Sequence, residues 1–329
     1  MVVDPHSIRR LSWDVLGFGA VAVDDLVYVD AYPAADHKVR VRQRRRQCGG
    51  LTGTALVAAA RLGARCGYAG VLGNDPLSEE VADALRREGI DLGPCVRRVE
   101  ARPAYSTIIV DRADNTRTVF SSLGGLIGPD PDLPAPATIR SAAVLLVDHH
   151  GLKGTLRVAR IARRHGIPIV ADFERDAGPE FQRLLWLVDH LVVSERCARQ
   201  LTGAGDPAEA AERLWHPVHA AVVVTSGEAG CWYVCDRRGA VRHQPAFRVE
   251  AVDTTGCGDV FHGAYAVALA EGKTVPASVR FASAAAALKA EVSGGQAGIP
   301  GRDALERFLA DRGNGAFFPA KLSDTTGST

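Results

Sequence analysis

Four apolar, β-branched runs constrain this chain more than any other feature: Ala142–Val147, Ile167–Asp172, Leu187–Val193 and Ala220–Thr225. None shows the strict polar alternation of a strand with one wet face, so each reads as a strand covered on both sides. Helical stretches lie between them, at Leu152–His165 and Pro207–Trp215. Buried strands alternating with helices imply an α/β fold, with a mostly parallel, Rossmann-like central sheet and helices on both faces. The N-terminal part adds a strand at Val15-Leu16-Gly17-Phe18-Gly19, then a β-rich run through Val29 that is broken at Pro33. A helix over Leu56–Leu62 stops at Gly63, Cys66–Leu72 reads as one short buried strand, and Ser78–Glu88 as an amphipathic helix ended by Gly89.

Two segments break this rhythm. Lys38–Gln47 alternates like a strand and carries many arginines, and Pro103–Ser121 reads as two strands joined by a turn at Ala113-Asp114-Asn115-Thr116. Both are too polar on one face to be central strands, so a small separate sheet is expected. Arg40, Arg42, Arg44 and Arg46 fall on one face of such a strand. They serve either as a charged edge that discourages aggregation or, with Lys38, as contacts for an anionic substituent on a ligand. The expected organisation is one domain over 11–312, with lid segments at about 24–48 and 100–123, and disordered tails at 1–10 and 313–329.

The net charge of +1 over 329 residues points to neither nucleic acid nor a membrane surface as a partner. No stretch reaches about 18 uninterrupted apolar residues, and Met1–Arg10 lacks the pattern of a secretory signal. The seven cysteines are scattered without C-x-x-C spacing, which fits free thiols in the cytoplasm better than a disulfide framework or zinc site.

The chemistry concentrates in Asp253-Thr254-Thr255-Gly256-Cys257-Gly258-Asp259, followed by Val260-Phe261-His262-Gly263-Ala264. Strand-like residues (Phe247–Val252) precede it, and a helix follows. Thr254 and Thr255 can cap that helix, and the glycines let successive N–H groups turn outward, as an anion requires. Asp259 falls in the first turn, where a carboxylate can take a proton from a hydroxyl attacking a phosphate. A lone G-x-G-D would more often be an ordinary capped glycine turn.

The longer string resembles the C-terminal signature of the ribokinase-like (PfkB) carbohydrate kinases. The resemblance implies that Asp259 is the catalytic base and that the Gly256, Cys257 and Gly258 backbone forms the anion hole, with Cys257 in place of the usual alanine. Cys48-Gly49-Gly50, leading into Thr54 and Ala60-Arg61-Leu62-Gly63-Ala64, is similar to the family's N-terminal signature, and Gly17-x-Gly19 with Asp24 to its first strand. Asp24, Gly49, Gly50, Thr54, Lys38 and His150 would then meet the sugar. Thr225-Ser226-Gly227-Glu228-Ala229-Gly230 resembles the nucleotide-binding turn, so that Ser194, Thr225, Gly227, Gly230, Thr255 and Ser283 would line ATP. The irregular segments match the family's lid, which implies closure over a small-molecule sugar and a homodimer contact. ATP and Mg2+ are the implied cofactors, with K+ or another monovalent cation at Asp253.

The chain also departs from that pattern. Ser194 and Cys197 stand where the family often has Asn-x-x-Glu at its metal–phosphate network, and Thr54 replaces an asparagine. From His243 to Ser283 the chain looks most like the sulfofructose kinase branch, which would place an arginine near His150. Gly17-x-Gly19-x-x-Ala22 fits a dinucleotide fingerprint formally, but that pattern needs a helix directly afterwards, and Ala20–Tyr32 is β-rich. A nucleoside kinase on the same fold and a non-catalytic sugar-binding regulator remain as rivals.

Overall fold

The computed structural model describes residues 11–312 except 115 and 177. Asn115 of the expected turn and both expected tails lie outside the described residues. The chain opens with β1 (Trp13–Phe18), β2 (Ala22–Val29), β3 (Gln43–Gly49), α1 (Leu51–Arg61), β4 (Cys66–Tyr68), β5 (Val71–Leu72) and α2 (Pro76–Arg87). It continues through β6 (Val96–Arg97), β7 (Ala104–Asp111), β8 (Thr116–Ser122), α3 (Pro136–Arg140), β9 (Ala142–Asp148), α4 (Leu152–Arg164) and β10 (Ile169–Phe173). Then come α5 (Pro179–Leu185), β11 (His190–Ser194), α6 (Glu195–Thr202), α7 (Pro207–Leu214), β12 (Ala221–Thr225), β13 (Cys231–Val234) and β14 (Arg242–Gln244). Three helices close the described chain: α8 (Cys257–Ala270), α9 (Val275–Ala290) and α10 (Arg302–Asp311).

The main sheet has the order β14-β13-β12-β11-β10-β9-β1-β4. It is parallel from β12 to β4, and β13 and β14 add an antiparallel edge. The four apolar runs occupy its centre, and nearly every residue of β9 to β12 is buried. Each face of the sheet carries its own apolar core. One contains Leu56, Tyr68, Phe261, Tyr265 and Phe281; the other contains Phe18, Leu156, Phe173, Phe181 and Leu191. Local caps set the helix starts on the second face. Asp206 accepts from the Glu209 amide before Pro207 at the start of α7, and Ser194 accepts from the Cys197 amide at the start of α6.

The segments outside the rhythm form the expected separate sheet, in the order β3-β2-β7-β8. β2 runs antiparallel to β3 and parallel to β7, and β7 pairs antiparallel with β8.

Several boundaries differ from expectation. Residues 38–42 are irregular, because β3 begins only at Gln43. The run over 66–72 divides into β4 and β5, which join different sheets. Phe247–Val252 is not a strand, since the Val252 amide donates to the Ala290 carbonyl at the end of α9 instead of to a ladder. α1 begins five residues earlier than the alanine-rich run suggests, because Gly50 takes φ 89° and turns β3 directly into helix.

Candidate active site

The order of the main sheet reverses beside β1. The chain leaves β1 toward β4 on one side and later returns to β9 on the other. At such a switch point the loops beyond the strand ends diverge and leave a crevice. Gly19-Ala20 follow β1 there, and His149-His150 follow β9. Asp148 ties the two loops together: its Oδ2 accepts from the Ala20 amide (2.6 Å) and the Thr52 hydroxyl (3.0 Å), and its Oδ1 accepts from the His150 amide (2.8 Å). A Cβ at Gly19 would lie 2.1 Å from Asp148 Oδ2, so glycine is required. Burial pushes the Asp148 carboxyl up, but its bond with His150 and the amide of Ala20 outweigh burial and hold it below the usual carboxylate range. The same contact more than offsets the downward effect of burial on His150.

The small sheet contributes Asp24. Strand register places it beside Gln47 of β3 and Ser106 of β7, and both hydrogen-bond its carboxylate. Burial still dominates and raises its pKa. Gly49 keeps clear of this group, since a Cβ there would lie 2.8 Å from Asp24 Oδ2; at Gly50 a Cβ would lie 2.6 Å from Val21 Cα. Thr54 is buried and its hydroxyl accepts from Gln296 Nε2 (3.3 Å), while Lys38 is exposed in the irregular segment before β3. Arg46 makes a bidentate pair with Asp25 (2.6 and 2.7 Å), which with the Tyr105 hydroxyl holds Asp25 at about 2. Arg42 pairs with Asp30.

The glycine string opens α8 as expected, but without a threonine cap. Gly256 takes the N-cap position at φ 80°, and no side chain caps the helix. The Thr255 amide instead donates to Asp253 Oδ1 (2.8 Å), and its hydroxyl accepts from Arg117 of the lid strand β8 (3.1 Å). The Cys257 amide is engaged by the Thr254 carbonyl (3.2 Å). Among the described residues the amides of Gly256, Gly258 and Asp259 find no acceptor, and a Cβ at Gly258 would meet nothing within 4 Å. Unpaired amides at the positive end of a fourteen-residue helix make an anion site.

Asp259 stands in that first turn, only partly exposed. Its pKa is raised well above the usual range, first by burial and then by the charges of Asp172, Glu174, Asp148 and Asp24. Asp24 is thus close enough to Asp259 for its charge to be felt there. Asp172, at the end of β10, is buried and burial raises its pKa; its Oδ2 has no hydrogen-bond donor, although His262 Nδ1 stands 3.3 Å away. His262 lies one turn beyond Asp259. Its Nδ1 contacts the Gly258 carbonyl (2.7 Å) and its Nε2 the Val192 carbonyl (3.0 Å), which braces the start of α8 against β11.

Thr225 ends β12 and a 3-10 turn follows over Gly227–Ala229. Gly227 and Gly230 both have positive φ, and a Cβ at Gly230 would lie 2.1 Å from the Gln244 carbonyl. Ser226 bonds Glu195. Ser283 donates to Val279 within α9 (2.8 Å). Ser194 acts as a helix cap, and Cys197 is a core residue whose thiol burial pushes up to about 12. Neither offers a metal a carboxylate, and no group of three ligating side chains gathers among the described residues. Asp172 and Glu174 are the carboxylates whose charges act most strongly on Asp259.

Every oxygen of Asp253 accepts a hydrogen bond. Its Oδ1 accepts from Thr255, its Oδ2 from the Gly294 amide (2.8 Å), and its carbonyl from Lys289 Nζ (2.7 Å). Burial pushes this carboxyl up, but the two amides outweigh it. The sequence reading did not single out Asp148, Asp172, His262, Lys289 or Arg117. Only Asp148 and Asp172 carried a local signal, each being a carboxylate that closes an apolar run.

Residues 17–302 match the family described as pfkB family carbohydrate kinase. A ribokinase of Bacillus subtilis (strain 168) is 31% identical over 295 residues, which are 89% of this chain and 98% of the relative. Fructokinase-1 of Oryza sativa subsp. japonica is 27% identical, with 87% of this chain and 94% of the relative covered. The crystal structure of a ribokinase from Thermotoga maritima superposes with a TM-score of 0.78 at 26% identity, covering 91% of this chain and 99% of that one.

Proposed function

Because the chain belongs to the pfkB family of carbohydrate kinases, we propose that it transfers the γ-phosphate of ATP to a primary hydroxyl of a sugar or sugar-like small molecule. The observation that carries this reading is Asp259, a carboxylate with a raised pKa beside the unpaired amides of an uncapped helix and within electrostatic reach of Asp24. Asp24, Gly49, Gly50 and His150 orient the acceptor. Asp259 takes the proton of the attacking hydroxyl. The amides of Gly256 and Gly258 stabilise charge on the transferring group; losing one such donor typically costs about 3 kcal/mol. Ser194, Thr225, Gly227, Gly230, Thr255 and Ser283 line the nucleotide side. Mg2+ bound with ATP supplies charge neutralisation at the phosphates. Arg117, bonded to Thr255, keeps the lid over the site, and closure excludes water.

A homodimer through the lid sheet and a cytoplasmic location belong to the same proposal. β8 is an exposed edge, and all seven cysteines are free thiols.

Release of ADP across ketoses, aldoses, sulfosugars and nucleosides tests the reading. The expected outcome is turnover with one sugar class and its loss, by about 10²- to 10⁴-fold, in Asp259→Asn with sugar binding retained. Turnover with adenosine alone would favour a nucleoside kinase. No ADP from any acceptor would favour a binding protein.

A further inference from the structure

Lys289 exposes none of its surface, which is rare for lysine unless its ammonium has a dedicated partner. It lies in the last turn of α9, where the helix end favours a cation. The partner is main chain: Nζ donates to the carbonyl of Asp253 at 2.7 Å. That carbonyl begins the loop that carries the amides of Gly256 and Gly258 into position. The titratable groups around the ammonium are Asp253 on the loop, the neutral Cys257 thiol and Asp259 on α8, and Arg117 on β8. Burial pulls the Lys289 pKa down, and the carboxylates and thiol oppose it.

A monovalent cation expected at Asp253 does not fit this arrangement. Both carboxylate oxygens of Asp253 are taken by amides, and its carbonyl by the ammonium. The facing loop is occupied in the same way, because Arg61 Nη1 takes the carbonyls of Gln296 (2.8 Å) and Ile299 (3.3 Å). A K+ ion here would compete for oxygens already bonded and would stand beside the ammonium of Lys289. We propose that the ammonium of Lys289 does the work of a monovalent cation beneath the anion site, holding the Asp253 loop in place so that the enzyme runs without K+. Lys289 is thus a positioning residue, and the inference rests on the kinase reading above.

The test uses the full chain in buffer whose only cation is tetramethylammonium, with K+, NH4+ or Li+ exchanged in at constant ionic strength. Melting midpoint and ADP release are read separately, so that an absent kinase activity leaves the first readout intact. Wild type should show no response to K+ in either. Lys289→Ala should melt lower, lose turnover by at least about tenfold, and regain both with K+ or NH4+ but not with Li+. If that variant does not fold, Lys289→Gln keeps a donor without the charge and takes its place. A wild type stabilised or activated by K+ overturns the inference, as does a variant indifferent to K+ and NH4+.

Discussion

As the proposed base, Asp259 must shed a proton while burial first, and then the charges of Asp172, Glu174, Asp148 and Asp24, press its pKa upward. Such a base is active only above an unusually high threshold, so the acidic limb of kcat/KM should lie well above the value near 4 of a free carboxyl. The sign of a neighbour's effect is fixed: removing a negative charge eases ionisation of Asp259. Asp172→Asn should therefore move that limb to lower pH, as measured by a pH–rate profile, and an unmoved limb would mean that Asp172 does not act on the base. None of this electrostatics was legible locally. Asp259 was recognisable from the glycines around it, whereas Asp148 and Asp172 come near it only because β9 and β10 lie side by side in the sheet.

In the proposed mechanism transfer depends on the start of α8, and its glycines have unequal roles. Gly256 is left-handed, and a Cβ there would lie 2.6 Å from the Gly295 carbonyl. Gly256→Ala combines that overlap with a left-handed cost of about 1–2 kcal/mol, so it should lower both melting midpoint and turnover. Gly258→Ala adds a methyl group to open space beside the unpaired amides. It should leave the melting midpoint unchanged while reducing turnover with ATP; full activity in that variant would remove Gly258 from the phosphate site. The composition of this element was readable in advance, but its cap was not. Threonines before a helix ordinarily cap it, yet here Thr255 is claimed by Asp253 and by an arginine 138 residues away.

At the scale of the molecule, the lid sheet ends in β8, whose seven residues are all exposed, with Val119 and Phe120 about half so. Exposed apolar side chains on an unpaired edge call for a partner. In the proposed homodimer, Phe120→Lys should convert a dimer to a monomer in analytical ultracentrifugation; a wild type that sediments as a monomer would discard the proposal. The amino-acid sequence by itself determined the layered α/β architecture, the separate small sheet and the placing of Asp259 after two glycines in the first turn of a helix, because β-branched runs, helical periods and turn residues act over a few neighbours. Only the tertiary structure decided what surrounds that base. Ala20 meets Asp148 across 128 residues, His262 meets Val192 across 70, and Lys289 meets Asp253 across 36. These meetings follow from strand order and helix packing, which bring distant backbone polar groups together after burial has removed water as their alternative partner.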